Sequence, residues 1–190
     1  MNNLIIIIFI SVLVSSCITI DSRSNDLYKN KQQFQEDNYY VFSITPSYIS
    51  KEDKSPINDL GRYFYVFDKN GKYLRIIPKF SSQELIVEIL NENKQVISER
   101  KLKLLSYSKE NLDKSRESKT FYFSNKTEIV KKSKNCVADL GQSCSYYTAL
   151  IFLDKDGNLV ITEKSTDLAL IFLIPFGGKS VSSNIFNKIE

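Results

Sequence analysis

The sequence predicts an all-β domain, an antiparallel sandwich or a partly closed barrel built from successive hairpins. Three observations carry this. From Tyr39 onward, runs rich in Tyr, Phe, Ile and Val recur between short polar stretches; they number about eight to ten, with the spacing of short strands. Asn70-Gly71 and Asp156-Gly157 each lie between two such runs, an arrangement that favours tight hairpins because these residue types tolerate positive φ. No amphipathic helix of useful length, no alternation of strands with helices and no internal repeat interrupts the series.

The chain opens on an apolar run, Leu4 to Val14, interrupted only by Ser11, and continues Val14-Ser15-Ser16-Cys17. The run has the length of a signal-peptide core and is shorter than the ~20 residues that span a bilayer. An apolar core, two small residues and then a cysteine resembles a bacterial lipoprotein signal with its lipobox, over the first 17 residues of the chain. The resemblance implies cleavage before Cys17, acylation of Cys17 and anchorage of the remaining chain in the bacterial cell envelope. Two or more acyl chains on one residue hold a protein stably on a membrane. Ile18, and not Asp, follows the cysteine, which by the same resemblance implies the outer membrane. Met1-Asn2-Asn3 contains no Lys or Arg, so the α-amino group alone supplies positive charge. A short uncleaved anchor over Leu4–Ile20 and an ordinary secretion signal are the competing readings. Residues 1–16 thus read as signal peptide, 17–38 as lipidated cysteine and tether, and 39–190 as a single β domain.

Ile18 to Asn38 is polar and mixed in charge, with only Leu27, Tyr28 and Phe34 as large apolar residues. It reads as a tether with an end-to-end distance of ~25 Å, or one holding a short helix over Asp26–Glu36. Tyr39–Thr45 reads as a strand, and Lys51–Pro56 as a solvated loop. Arg62–Phe67 and Lys72–Ile77 read as hairpin arms about Asp68-Lys69-Asn70-Gly71. On such a strand Tyr63 and Tyr65 share one face and Phe64 takes the other. Pro78 marks a strand end or a sheet edge. Glu84–Leu90 reads as a strand, Asn91–Lys94 as its turn, and Gln95–Tyr107 as the return, where Lys101 and Lys103 alternate with Leu102 and Leu104. Ser108–Lys119 is a charged surface loop, Thr120–Phe123 a short strand, and Lys126–Asn135 a basic segment with Ile129 and Val130 toward the core. Tyr146–Leu153 and Asn158–Glu163 form a hairpin about Asp154–Gly157. Leu168–Phe176 reads as one strand, apolar on both faces and ended by Gly177-Gly178, which requires cover on both sides. Ser183–Ile189 reads as a closing helical turn.

Composition narrows the chemistry. The charge is +4, with 25% charged residues. Such a mixed, mildly basic surface lacks the concentrated stripe of a nucleic-acid binder. The chain contains no His, which removes Ser-His and Cys-His nucleophile pairs and His-ligated zinc. Cys136 and Cys144, an even pair in an exported chain, read as a disulfide, with free thiols as the alternative. No cofactor or metal is expected.

Motif-like stretches carry little. Asp154-Lys155-Asp156-Gly157-Asn158 with Glu163 is similar to a calcium loop, but Phe152 occupies the first ligand position, which needs an oxygen. Gly178-Lys179-Ser180 lacks the opening glycine of a phosphate loop, which would fall at Leu173. Ser106-Tyr107-Ser108-Lys109 lies where a strand enters a loop, away from the buried helix that such a serine–lysine pair requires. Tyr63, Tyr65, Tyr146 and Tyr147 form a candidate binding surface for sugars or a peptide, with core packing as the alternative. The expected function is a non-catalytic, lipid-anchored envelope protein that binds a protein or glycan of the envelope, and not nucleic acid. A defensive surface lipoprotein, acting in phage exclusion or toxin immunity, is the second reading. A hydrolase using Asp154, Asp156 or Glu163 is the third.

Overall fold

The computed structural model describes residues 17–51, 53, 56–108, 119–138, 142–171 and 174–189. The leader, most of the Ser108–Lys119 loop, the apex of the Cys136–Cys144 loop and the middle of the Leu168–Phe176 run lie outside the described residues. The fold is all-β. Its strands are β1 (Cys17–Ile20), β2 (Tyr40–Ser43), β3 (Tyr48–Ile49), β4 (Tyr73–Lys79), β5 (Glu84–Leu90), β6 (Val96–Ser106), β7 (Thr120–Ser124), β8 (Glu128–Ala138), β9 (Gln142–Leu153), β10 (Leu159–Ile171) and β11 (Ile174–Phe186). Two short helices accompany them, α1 (Ser24–Lys29) and α2 (Leu60–Tyr63).

The strands form one sheet in the order β1-β11-β10-β9-β8-β7-β6-β5-β4-β2, with β3 also on β11. The strand ladder does not close. Its two ends are nevertheless joined by the tail after β11: Ser43 N donates to Asn187 O at 2.9 Å and Ile189 N to Val41 O at 2.8 Å. Curling the sheet in this way gives it one interior. Phe42, Phe64, Phe121, Phe186, Leu74, Leu85 and Ile89 are all fully buried there. Each side chain of this size removed from water contributes ~1.5–3 kcal/mol. Strict alternation in β4 sends Leu74 and Ile76 inward and Arg75 outward, where Arg75 pairs with its cross-strand partner Glu88. Pro78 lies on β4 beyond the part that β2 covers, as an edge position requires.

Several expectations are corrected. The strands are not all successive antiparallel hairpins, because β6 runs parallel to β7 and β1 parallel to β11. Parallel neighbours need a crossover of a dozen residues or so, and the segment between Ser106 and Thr120 supplies one. Residues 17–38 are no tether. Cys17–Ile20 is a strand, Gln32 bridges Leu153, and Phe34 is 1% exposed against Tyr40. The helix in this segment is Ser24–Lys29, not Asp26–Glu36, and its Tyr28 packs edge-on against Phe152.

Arg62–Phe67 is not a strand. Asp59 caps a helical turn by accepting from Arg62 N, and Gly61 lies so close to Ile89 Cδ1 and Val66 O that a Cβ there would meet them at 2.7 and 2.8 Å. The turn drives Phe64 into the core, stacked on Phe121. Leu168–Phe176 is not one strand: the chain reverses within it, so that Leu168–Ile171 ends β10 and Ile174–Phe176 begins β11. Ser183–Ile189 is not helical; β11 continues to Phe186 and the tail then pairs with β2.

The Asp-Gly hairpin stands. β9 and β10 pair about a turn in which Gly157 adopts φ +82° and Asp154 accepts from Asp156 N and Asn158 N. Cys136 and Cys144 are cross-strand partners near the far end of β8 and β9, with their sulfurs bonded.

Candidate functional site

Three neighbouring strands change character at one level. On the inward face, Ile129, Ile151 and Ile161 stand in one cross-strand row and are fully buried. One row further on stand Lys131, Ala149 and Glu163, and the row after that holds Ser133, Tyr147 and Ser165. The face thus passes from core to polar floor within two residues. Ala149, the smallest side chain of its row, leaves room between Lys131 and Glu163.

The segment from Pro56 to Tyr65 forms the opposite wall. Asp59 holds α2 by its cap and by an ion pair to Arg62 at 3.5 Å. Tyr65 takes a left-handed φ of 60°, and its carbonyl accepts from Arg100 Nη1 at 2.5 Å. Between floor and wall lies an open cleft of about 930 Å³, bounded by Ile57, Arg62, Tyr63, Tyr65, Lys131, Tyr147 and Glu163, among others.

The polar groups in the cleft are organised. Tyr147 Oη donates to Glu163 Oε1, and the Tyr63 and Tyr147 hydroxyls lie 3.4 Å apart. The Lys131 ammonium lies 4.5 Å from the Tyr63 ring centroid and 4.6 Å from that of Tyr65, cation–π distances that hold a cation without neutralising it. Burial raises the Glu163 carboxyl above the ordinary carboxylate range, opposed first by the Tyr147 hydrogen bond; Asp53 raises it further and Lys131 lowers it. Burial also pushes the Tyr63 and Tyr147 hydroxyls upward, so both stay neutral at neutral pH. The cleft therefore offers two cations, aromatic faces, neutral hydroxyls and a carboxyl of raised basicity.

Of the four tyrosines singled out in the sequence, Tyr63, Tyr65 and Tyr147 meet in this cleft. They do so through the helical turn and not through strand alternation. Tyr146 points to the opposite face, into a groove of about 380 Å³ with Tyr107, Lys132, Lys164 and Lys179. Of the three carboxylates considered for hydrolysis, only Glu163 lines the cleft. Asp154 lies at the β9–β10 turn, where Asn158 Nδ2 also donates to it, and Asp156 is in the same turn. The sequence reading missed Lys131 and Arg62 as partners of the tyrosines. Their signal is the shared switch from Ile to polar residues on three strands, which appears only once the register is known.

Among the described residues, no group of three or more acidic or cysteine side chains is placed to hold a metal ion, and no helix is long and apolar enough to cross a membrane. Comparison with family models, curated proteins and solved structures finds no match for this chain.

Proposed function

We propose that this is a lipid-anchored protein of the bacterial outer membrane, acylated at Cys17, whose β domain binds another envelope component without catalysing a reaction on it. The observation that carries the binding role is the tyrosine-lined cleft. Flat aromatic faces beside fixed donors and acceptors suit a partner that presents rings or planar groups together with hydroxyls or amides. A glycan or a protein segment has that chemistry. The lipobox supplies the address. With Cys17 at the start of β1 and not at the end of a tether, an acylated chain sits directly against its membrane, and the partner is one within reach of that surface.

Photocrosslinking in cells tests the binding role. A benzophenone side chain at Ser133, on the cleft floor, is expected to capture one specific partner, and the same probe at Lys155, on the β9–β10 turn, is not. The adduct is expected to disappear with Tyr63→Ala. Crosslinked membranes that yield no specific adduct at Ser133 would overturn the binding role. The anchor is tested by the intact mass of protein extracted from membranes. Cys17–Glu190 plus diacylglycerol is expected, with a Cys17→Ala variant left uncleaved. An unmodified full-length mass would remove the lipoprotein reading.

A further inference from the structure

Past the cleft, β8–β11 continue as a two-faced blade. Residues 133–137 of β8 are exposed, as are Ser143, Ser145 and Tyr146 of β9 and Lys164, Asp167 and Leu168 of β10. Several of the large apolar side chains that the domain leaves in solvent collect on this blade and on β1 beside it: Ile18, Ile20, Val137, Tyr146 and Leu168. Isolated exposed apolar residues need no explanation, but a cluster at one end of a sheet does.

The register relates this cluster to the anchor. Cys17 pairs with Gly178, Gly178 with Asp167, and Asp167 with Ser145. The Cys136–Cys144 disulfide occupies the next row, beside Leu168 and Gly177. Beyond it the β10–β11 ladder runs on to Ile171 and Ile174, four residues past Gly178 and so about 13 Å further along the strand. Because β1 is parallel to β11, the chain enters Cys17 from that same end. Acyl chains on Cys17 therefore emerge beside the hairpin end.

We propose that the distal end of the β8–β11 blade, which with β1 beside it carries the exposed Ile18, Val137 and Leu168, is a membrane-docking element, seated in the interfacial layer of the same bilayer that takes the acyl chains of Cys17. The proposal rests on the lipoprotein reading for the identity of that membrane. A bilayer fits better than a protein groove for two reasons. Exposed apolar side chains stand on both faces of the blade, Val137 on the face of Tyr147 and Leu168 and Ile18 on the face of Tyr146. A protein partner covers one face, whereas a bilayer surrounds both.

The second reason is the flanking belt. Two rows behind the disulfide stand Lys134, Tyr146, Thr166, Lys179 and Ile18, paired in that order, with the Lys134 ammonium 5.2 Å from the Tyr146 ring centroid. Lysines and a tyrosine behind an apolar tip suit the headgroup level, where ammonium groups meet phosphates and aromatic rings lie at the boundary. Asp167 is the acidic residue on the adjoining row, and it faces the other side. Depth is limited by the backbone, since N–H and C=O groups without partners are costly in hydrocarbon. The hairpin end accordingly enters only ~5–10 Å, as interfacial elements do.

The chain contains no Trp, so a single introduced indole is an unambiguous depth probe. Full-length Leu168→Trp and Lys155→Trp proteins, extracted from membranes, are reconstituted into phosphatidylethanolamine–phosphatidylglycerol vesicles carrying lipids brominated on the acyl chains. Leu168→Trp emission is expected to fall at least about two-fold, a depth that interfacial insertion permits, while Lys155→Trp at the opposite end stays unchanged. Equal emission changes at the two positions would overturn the docking proposal. The mass spectrum of the same preparations separates the two readings. An acylated Cys17 with unquenched Leu168→Trp sinks the hairpin and keeps the anchor. An unmodified Cys17 with quenched Leu168→Trp sinks the lipoprotein and keeps the hairpin.

Discussion

The two halves of β9 and β10 are made from the same strands and live in different worlds. Near the Asp154–Gly157 turn, Ile151 and Val160 are 0% exposed. Toward the other end of the same strands, Tyr146 is 40% exposed and Leu168 is 52% exposed. Hydrogen-bonded pairing continues throughout, so backbone pairing does not distinguish them; what lies on the faces does. In the lower half, α1 covers one face through Tyr28 on Phe152, and the curled sheet covers the other. Among the described residues the upper half has neither cover, and a disulfide ties its strands in place of a core. Stability is concentrated in the lower half, and the surfaces available to partners in the cleft and the upper half.

The largest expected effect lies in the lower half. Phe121→Ala removes a fully buried ring stacked on Phe64, with centroids 5.4 Å apart. A cost of ~3–5 kcal/mol is expected, from lost burial and an unfilled cavity, read as a drop in the urea midpoint. A cost under about 1 kcal/mol would mean that the core sits elsewhere.

Next comes the disulfide. Its cysteines are separated by 8 in sequence, and a loop of that size contributes ~2–3 kcal/mol by chain entropy. The double variant Cys136→Ser, Cys144→Ser is expected to lose about that much in urea unfolding. Amide exchange is expected to quicken in the upper half first. If exchange rises equally around Ile151, the two halves are one cooperative unit and the comparison fails.

Gly157→Ala probes the turn that joins β9 to β10 at the lower end. An alanine forced to φ +82° is strained, and about 1 kcal/mol of stability is expected to be lost by urea unfolding. The Lys188 Cδ that its Cβ would meet at 3.1 Å belongs to a flexible chain and can move.

How far the sequence reveals these two halves depends on the kind of signal. Glu84–Leu90 was readable as a strand because a run rich in β-branched residues ends at a polar turn, and Asp156-Gly157 because a glycine with positive φ was needed there. Arg62–Phe67 misled because its aromatic content suits a strand, while the features that override it, the Asp59 cap and the contact of Gly61 with Ile89, depend on tertiary neighbours. Residues 17–38 misled because a sparse apolar content looks like a linker; Phe34 and Tyr28 dock the segment once sockets exist, together with the pairing of β1. The Leu168–Phe176 reversal has no Gly or Asn in its middle to announce a turn. The tyrosines of the cleft were visible as residues, but their convergence with Lys131 and Glu163 required the β8–β9–β10 register.

Smaller still is a pH effect at the boundary between the halves. Burial raises the Glu163 carboxyl above its ordinary value of 4.5. The folded protein therefore holds this proton more tightly than the unfolded chain does, and stability falls as pH rises from that value through the raised one. Glu163→Gln removes the dependence, so its stability relative to wild type is expected to grow as pH increases from about 4 to 8. Tyr147→Phe is expected to steepen the dependence, because the Tyr147 hydrogen bond holds the carboxyl down. Urea midpoints across that range check the sign: a flat profile would place the carboxylate in solvent, and an opposite slope would mean that the fold stabilises its charged form.

Leu168→Asp is expected to have the smallest effect on the fold. The side chain is half exposed and contributes little burial, so the urea midpoint should move by no more than about 0.5 kcal/mol. On a membrane the same change acts differently, because it places a charge in the proposed interfacial layer. With Val137→Trp as reporter on β8, two strands from Leu168, quenching by brominated lipids is expected in the otherwise unchanged protein and is expected to be largely lost when Leu168→Asp is added. Phe121→Ala, to the extent that it remains folded, should leave that quenching intact. The paired outcome decides the comparison: a variant that unfolds the body without lifting the hairpin end, and one that lifts the hairpin end without unfolding the body, require the two halves of the same strands to do separate work.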